Sequence, residues 1–329
     1  MRIFAYEHIT GGGLMDQRSQ AALAPEGEAM LRALVQDLVA IPDVEVAAMR
    51  DPRLPLDLPA TMCVPESKRD FWPVFCRAVR ESDAAWLIAP EQDGILERLS
   101  REVVTAGCRL LGSHPDAVHI TASKLRTAEA LTAAGVRTIP TSGDERAIPA
   151  DVEQIVVKPD DGVGCQDTYL FQLRTELRTW LRDRAVSGRA FQPYVRGTAL
   201  SLSILCCNGR ARLLACNRQH VEVNDGRFEF SGVSVNAIRD SDGRYAQLAR
   251  EVVRALPGLW GYVGIDVIDG VDGPIVVEIN PRLTTSYAGL RQALGINVAE
   301  LVLGLPGSLE DSASFGWRGV VDVEVAHAG

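Results

Sequence analysis

The sequence predicts a mixed α/β and α+β fold in three parts: a parallel α/β unit over 1–118, a small α+β unit over 119–190 and a hairpin-rich antiparallel unit over 191–329. Three observations predict it. Strand-like and helix-like runs alternate through the first third, as βαβ units require. The middle holds a short strand, a polar glycine-bearing loop, a second strand and a helix. The remainder carries alternating strands joined at Asn208-Gly209, Asn224-Asp225-Gly226 and Asp272-Gly273, which are hairpin turn signals.

Residues 2–6 read as the first strand. Residues 26–39 have helical apolar spacing through Met30, Leu34 and Leu38. A strand follows at 84–89, then a helix with Ile95, Leu96, Leu99, Val103 and Val104 on one face. Gly107 stands where a glycine ends a helix, and 110–112 form the next strand. Thr121 or Ser123 can cap a helix over 124–134, which Gly135 ends. A strand at 155–158 runs into the loop Asp160–Asp167. A strand at 168–172 and a helix over 176–186 complete the middle unit. Next, Leu200, Leu202 and Ile204 alternate with Ser201 and Ser203. Strands follow at 213–223 and 228–230, and Pro257-Gly258 stops a helix over 244–256. The segments GYVGIDVI and PIVVEINPR then form a hairpin, and a helix covers 288–294.

The 329 residues suffice for two domains or three small ones, at roughly 100–200 residues each. Hydrophobic residues make up 47% of the chain, which excludes a disordered polymer. The formal net charge is −9 and no basic run is present, so nucleic acid is not an expected partner. The N-terminal stretch has one basic residue and a short apolar run, so it reads as a strand and not a signal peptide. No apolar run approaches the ~20 residues of a membrane span, so the expectation is a soluble, cytoplasmic protein. The seven cysteines contain no CxxC pair and are expected to be reduced and scattered.

The strongest chemical signal lies in the last hairpin. Ile275, Val277 and Ile279 share one strand face, and Glu278 and Asn280 share the other. Folding about Asp272-Gly273 sets Asp266 across from Glu278. Two like charges so placed destabilise a strand pair, and a hard cation such as Mg2+ relieves that. A polar solvent face is the plain alternative. Arg282 follows the ligand strand directly, placed to meet anionic oxygens or a surface ion pair. The helix start near Thr284–Ser286 offers free N–H groups. Only three lysines exist, Lys68, Lys124 and Lys158. Lys158 opens the loop with Asp161, Gly162 and Gly164, whose N–H groups can fold over phosphates or simply form a turn.

In this order and spacing, Lys124, Lys158 with its loop, FQPYVRG, GIDVI and VEINPR resemble the ATP-grasp ligases, over about residues 110–300. The resemblance implies an ATP-grasp fold with an N-terminal domain, a central lid and a C-terminal metal-bearing domain. It implies ATP and two Mg2+ ions as cofactors, with Mn2+ as an alternative. Lys124 and Lys158 would meet the α- and β-phosphates, and Asp161, Gly162 and Gly164 would close over the β- and γ-phosphates. Gln192, Pro193, Tyr194 and Val195 would hold adenine. Asp266, Glu278 and Asn280 would hold the metal, with Glu278 bridging. Arg282 and Lys158 would be catalytic. The position of the usual ribose-binding glutamate is Ala199 here, which leaves that contact open. YEHITGGG, NRQHV and VEINPRLTTSYAGLR are similar to the branch containing the tyramine–glutamate ligases of methanofuran biosynthesis. That implies amide formation between the glutamate γ-carboxylate and an aromatic amine such as tyramine or tyrosine. A homodimer is expected by the same resemblance. Ligation of another small acid and amine, or ATP sensing without catalysis, are the competing functions. The intact Asp266, Glu278 and Asn280 set argues against the sensor.

Substrate candidates are Glu7 and Gly12 beyond the first strand, Asn217 and Gln219 on one strand face, Thr284, and Arg291. Glu7 can hold an ammonium group or belong to an ordinary β–α loop. Arg291 can face a carboxylate or solvent. If Asn217 and Gln219 face the nucleotide, His220 faces away.

Overall fold

The computed structural model describes residues 1–16, 24–182, 184, 187–305, 309 and 318–325. The first unit contains β1 (Arg2–Glu7), α1 (Ala24–Val39), β2 (Glu45–Met49), β3 (Thr61–Cys63), α2 (Lys68–Arg80), β4 (Ala84–Ile88), α3 (Ile95–Thr105) and β5 (Arg109–Leu110). The five strands form a parallel sheet in the order β3-β2-β1-β4-β5. Its central strand is apolar at every interior position because both faces are covered. Ile3 and Ala5 meet α1, whereas Phe4 and Tyr6 meet Phe75 of α2 and the apolar face of α3.

β2, β3 and α2 were not expected from sequence. The strands are short, and Pro73 lies inside α2, where a proline ordinarily signals a break. The strand expected at 110–112 is the two-residue β5.

Two helices, α4 (Pro115–Thr121) and α5 (Lys124–Ala133), lead into β6 (Ile155–Pro159), β7 (Tyr169–Phe171), α6 (Arg174–Arg182) and β8 (Arg189–Pro193). The far end of the helix expected over 176–186 lies outside the described residues. Then follow β9 (Thr198–Cys207), β10 (Arg210–Asn224), β11 (Arg227–Ile238), α7 (Arg244–Ala255), β12 (Gly261–Gly270), β13 (Gly273–Asn280), α8 (Tyr287–Leu294), α9 (Val298–Gly304) and β14 (Val321–Glu324).

Among the described residues these strands make one antiparallel sheet in the order β13-β12-β9-β10-β11-β7-β6-β8, with β14 also on β11. The small β7-β6-β8 part joins the rest through a single pair, Arg227 with Tyr169. It has its own core of Ile148, Ile155, Val157, Leu177 and Phe191. The larger part packs α7 against β9, β12 and β13. α8 and α9 instead pack on α1 of the first unit, through one continuous core with Leu31, Leu34 and Leu38. A cleft opens between the small and large parts of the second sheet, and the first unit closes one of its ends.

Candidate active site

The metal candidates come together as the hairpin register requires. Asp266 pairs with Glu278, and Gly264 with Asn280. Asn280 Nδ2 donates to Asp266 Oδ2 (3.2 Å), and Gln219 Nε2 donates to Asp266 Oδ1 (3.0 Å). Burial, then the charge of Glu278, pushes the Asp266 carboxyl up to about 8. Burial also acts to raise the Glu278 carboxyl, but Lys124 and Lys158 outweigh it and hold that group below its ordinary value. A bound cation would favour the charged form of both groups. Two buried carboxylates and an amide suit Mg2+, which takes few protein ligands and keeps water and phosphate in its shell. Among the described residues no cluster of three or more His, Cys, Asp or Glu side chains suits a softer metal.

The two lysines converge from different elements. Lys158 stands on β6 and Lys124 at the start of α5, and both are buried. Lys124 Nζ lies 3.4 Å from Glu278 Oε2 and donates to the Gly162 carbonyl (2.7 Å). Burial lowers the Lys158 ammonium to about 8 although Glu278 opposes the shift. All four free N–H groups at the start of α5 find protein partners. Ser123 donates to the Ile120 carbonyl, Lys124 and Leu125 donate to the carbonyl and side chain of Asp160, and Arg126 donates to the Ser123 hydroxyl. The helix start is thereby tied to the loop after β6, and Lys124 to that loop's glycines.

Gly162, Gly164 and Cys165 line the cleft. Burial pushes the Cys165 thiol up to about 12. Asp161 does not line the cleft; its carboxylate accepts from the Asp93 N–H (3.1 Å). Gln192, Pro193, Tyr194 and Val195 line the cleft, with Val156 beside Gln192 on the neighbouring strand, and Ile139, Val267 and Ile268 also line it. The Gln192 amide is held by Thr141 Oγ1 (2.8 Å), and the Tyr194 N–H donates to the Gln154 carbonyl (2.9 Å). Ala199 and Ser201 lie on the floor.

Arg282 reaches the cleft from the end of β13. Its Nη2 donates to Glu91 Oε2 (2.9 Å) and its Nη1 to the Leu283 carbonyl (3.1 Å). Arg282 Nε and Glu91 Oε1 are buried without partners. Thr284 also lines the cleft, and its hydroxyl joins those of Tyr262 and Ser286.

Four substrate candidates fall elsewhere, each for a physical reason. The Glu7 carboxylate accepts from the Ile9 and Thr10 N–H groups and the Thr10 hydroxyl, and it is closed in behind Gly27 of α1. It shapes the loop and does not face the cleft. Gly12 sits in the left-handed region (φ 91°), beside Met15 and Pro65. Asn217 is fully buried, donating to Ser201 and Ser203 and accepting from the Asn236 N–H. Of its strand face Gln219 and Val221 reach the cleft wall. Arg291 pairs with Asp37 of α1 (2.9 Å). His220 faces Ser234 (2.8 Å) away from the cleft. Sequence reasoning missed Glu26, Glu91, Thr285, Phe228 and Phe230. The alternation of Phe228 and Phe230 was the one local signal available. Glu26 and Glu91 are brought in by long-range packing.

The sequence matches a family model described as an ATP-grasp domain over residues 121–286, and one described as a pre ATP-grasp 3 domain over 44–118. The tyramine–L-glutamate ligase of Methanocaldococcus jannaschii is 29% identical over 221 residues, covering 67% of this chain and 62% of that protein. The tyramine–L-glutamate ligase of Methanocaldococcus fervens is 29% identical over 209 residues, covering 64% and 62%. The match thus spans less than two thirds of these relatives' length. An ATP-grasp superfamily structure from Archaeoglobus fulgidus superposes with a TM-score of 0.71 at 24% identity, covering 99% of this chain and 100% of that one. The L-amino acid ligase of Bacillus licheniformis gives 0.66 at 17% identity, covering 94% and 75%. At these identities the superpositions establish a common fold.

Proposed function

The chain belongs to the ATP-grasp family, and on that premise we propose that it is an ATP- and Mg2+-dependent ligase joining the γ-carboxylate of L-glutamate to an aromatic amine such as tyramine or tyrosine. The observation that carries the proposal is the composition of the cleft. One stretch has Lys124, Lys158 and Arg282 facing Asp266, Glu278 and Asn280, as transfer of a phosphoryl group requires. A neighbouring wall has Val221, Phe228, Phe230 and Val233, as a flat apolar substrate requires. Both features accord with the activity of the two archaeal relatives, which are tyramine–L-glutamate ligases. The pathway proposed is furan-type C1-cofactor biosynthesis (methanofuran or methylofuran).

In this scheme adenine lies against Gln192–Val195, and Lys124 and Lys158 meet the α- and β-phosphates. The loop Asp160–Asp167 covers the β- and γ-phosphates through the N–H groups of Gly162 and Gly164. Asp266, Glu278 and Asn280 hold the metal, which neutralises phosphate charge when bound. A carboxylate is a poor electrophile. Attack of its oxygen on the γ-phosphorus gives an acyl phosphate and ADP, and Arg282 stabilises the charge on the transferring oxygens. The amine then displaces phosphate. The part divisions 1–118, 119–190 and 191–329 serve as the cover, the lid and the metal-bearing base of this cleft.

A coupled assay of ADP release with ATP, Mg2+ and L-glutamate, with and without tyramine or tyrosine, tests the proposal, with mass spectrometry of the product. ADP release that needs both glutamate and one of the amines, and a product of the amide's mass, is the expected result. Turnover with a different acid and amine would retain the ligase chemistry and remove the glutamate–aromatic amine assignment.

A further inference from the structure

We propose that Glu26 is the residue that receives the ammonium group of the acceptor amine and takes its proton before attack. This assignment rests on the ligase function proposed above and adds the base that the sequence did not supply. Among the described residues three carboxylates line the cleft, Glu26, Asp266 and Glu278. Asp266 and Glu278 face each other across the β12–β13 hairpin, between the lysines and Asn280. Glu26 stands apart from them, arriving from the first turn of α1, on the other sheet's unit. It is half-buried, and the Thr285 hydroxyl donates to it. Thr285 is three residues beyond Arg282, whose guanidinium feels the charge of Glu26.

The neighbourhood gives this carboxylate a specific task. Phe230 is part of the cleft wall and also packs on the core that α1 and α8 share. It stands opposite Val221 on β10, and Val233 stands opposite Gln219. An amine with an aromatic body can therefore rest on Phe230 and Val221 while its charged end meets Glu26. A cationic site here would repel the amine, whereas an anionic one both holds it and accepts a proton.

The step balances. R–NH3+ gives one proton to the Glu26 carboxylate and becomes R–NH2. The nitrogen lone pair attacks the acyl carbon, and the C–N bond forms as the C–O bond to phosphate breaks. Phosphate leaves with that electron pair and takes up the second nitrogen proton. Glu26 then returns its proton to water.

Hydroxylamine separates this role from phosphorylation, because it is neutral at pH 7 and needs no ammonium site. The experiment compares, for each enzyme, amide formation with tyramine against hydroxamate formation with hydroxylamine, with a panel of acids led by L-glutamate. In Glu26→Gln the tyramine-to-hydroxylamine ratio should fall at least 100-fold relative to wild type. Glu26→Asp, which keeps the carboxylate, should recover at least tenfold of that loss. An unchanged ratio in Glu26→Gln overturns the assignment and leaves the ligase function standing. A wild-type enzyme that forms neither an amide nor a hydroxamate from any acid overturns the ligase function and this assignment with it.

Discussion

Glu278 is the residue on which the proposed chemistry converges. It faces Asp266 across the hairpin and accepts the charge of two buried lysines. Glu278→Gln should lower ADP release by at least ~1000-fold, about 4 kcal/mol of transition-state stabilisation, in the coupled assay. It should also abolish the dependence of ATP affinity on Mg2+, measured by calorimetry. A second residue-scale consequence concerns pH. His8 is buried against Tyr6, its Nδ1 2.9 Å from the phenol oxygen, and burial lowers its imidazole to about 4 from 6.5. Its folded pKa is depressed, so the unfolded chain binds the proton first. The stability is fully present above 6.5 and is lost as pH falls from 6.5 towards 4. At pH 5 the loss is about 2 kcal/mol. His8→Gln should remove that part of the acid-side loss, read as a smaller shift of the urea midpoint between pH 7.5 and pH 5 than in wild type.

At the scale of elements, α5 and the loop after β6 act as one piece. Ser123 caps α5 and Asp160 supplies the remaining partners at its start, so Lys124 is aimed by two separate chain segments. Ser123→Ala should cost about 1 kcal/mol of stability by urea unfolding. It should raise the ATP KM several-fold in the coupled assay, because Lys124 loses a fixed base. The cap was legible in the sequence: a serine before a helical run, and a glycine after it. The hairpin Asp266–Glu278 was legible for a similar reason. A short turn sets register, and register sets which side chains face each other. α2 was not legible, because Pro73 reads as a break. The packing of Phe71, Phe75 and Val79 on β1 and β4 retains the helix in spite of it.

At the scale of the whole molecule, polar contacts among the described residues reinforce the apolar core that binds the first unit to the last. Asp37 of α1 accepts from Tyr287 and Arg291 of α8, and its carbonyl accepts from Asn297. Glu91, after β4, meets Arg282 at the mouth of the cleft, with both side chains nearly inaccessible. Removing one partner of a buried pair leaves the other charge uncompensated. Glu91→Ala should therefore lower the unfolding free energy by about 3 kcal/mol, measured by urea denaturation. It should also lower kcat more than it changes the ATP KM, since Arg282 and not the adenine wall loses its anchor.

The sequence by itself determined what short-range physics controls: the alternation of strands, a helix cap at Thr121 or Ser123, the hairpin turns, and hence the facing of Asp266, Glu278 and Asn280. It placed Lys124, Lys158 and Arg282 in an order that implies one site. Tertiary structure alone decided which remaining charges reach that site. Glu7 follows a strand and looked available, yet the nearest N–H donors were those of its own loop, and they occupy it. Asn217 shares a face with Gln219, yet the hydroxyls of Ser201 and Ser203 and the Asn236 N–H occupy its amide. Glu26 and Glu91 carry no local mark, because their partners Thr285 and Arg282 are 259 and 191 residues away. The packing of α1 on α8 and α9 joins the two units and brings those pairs together.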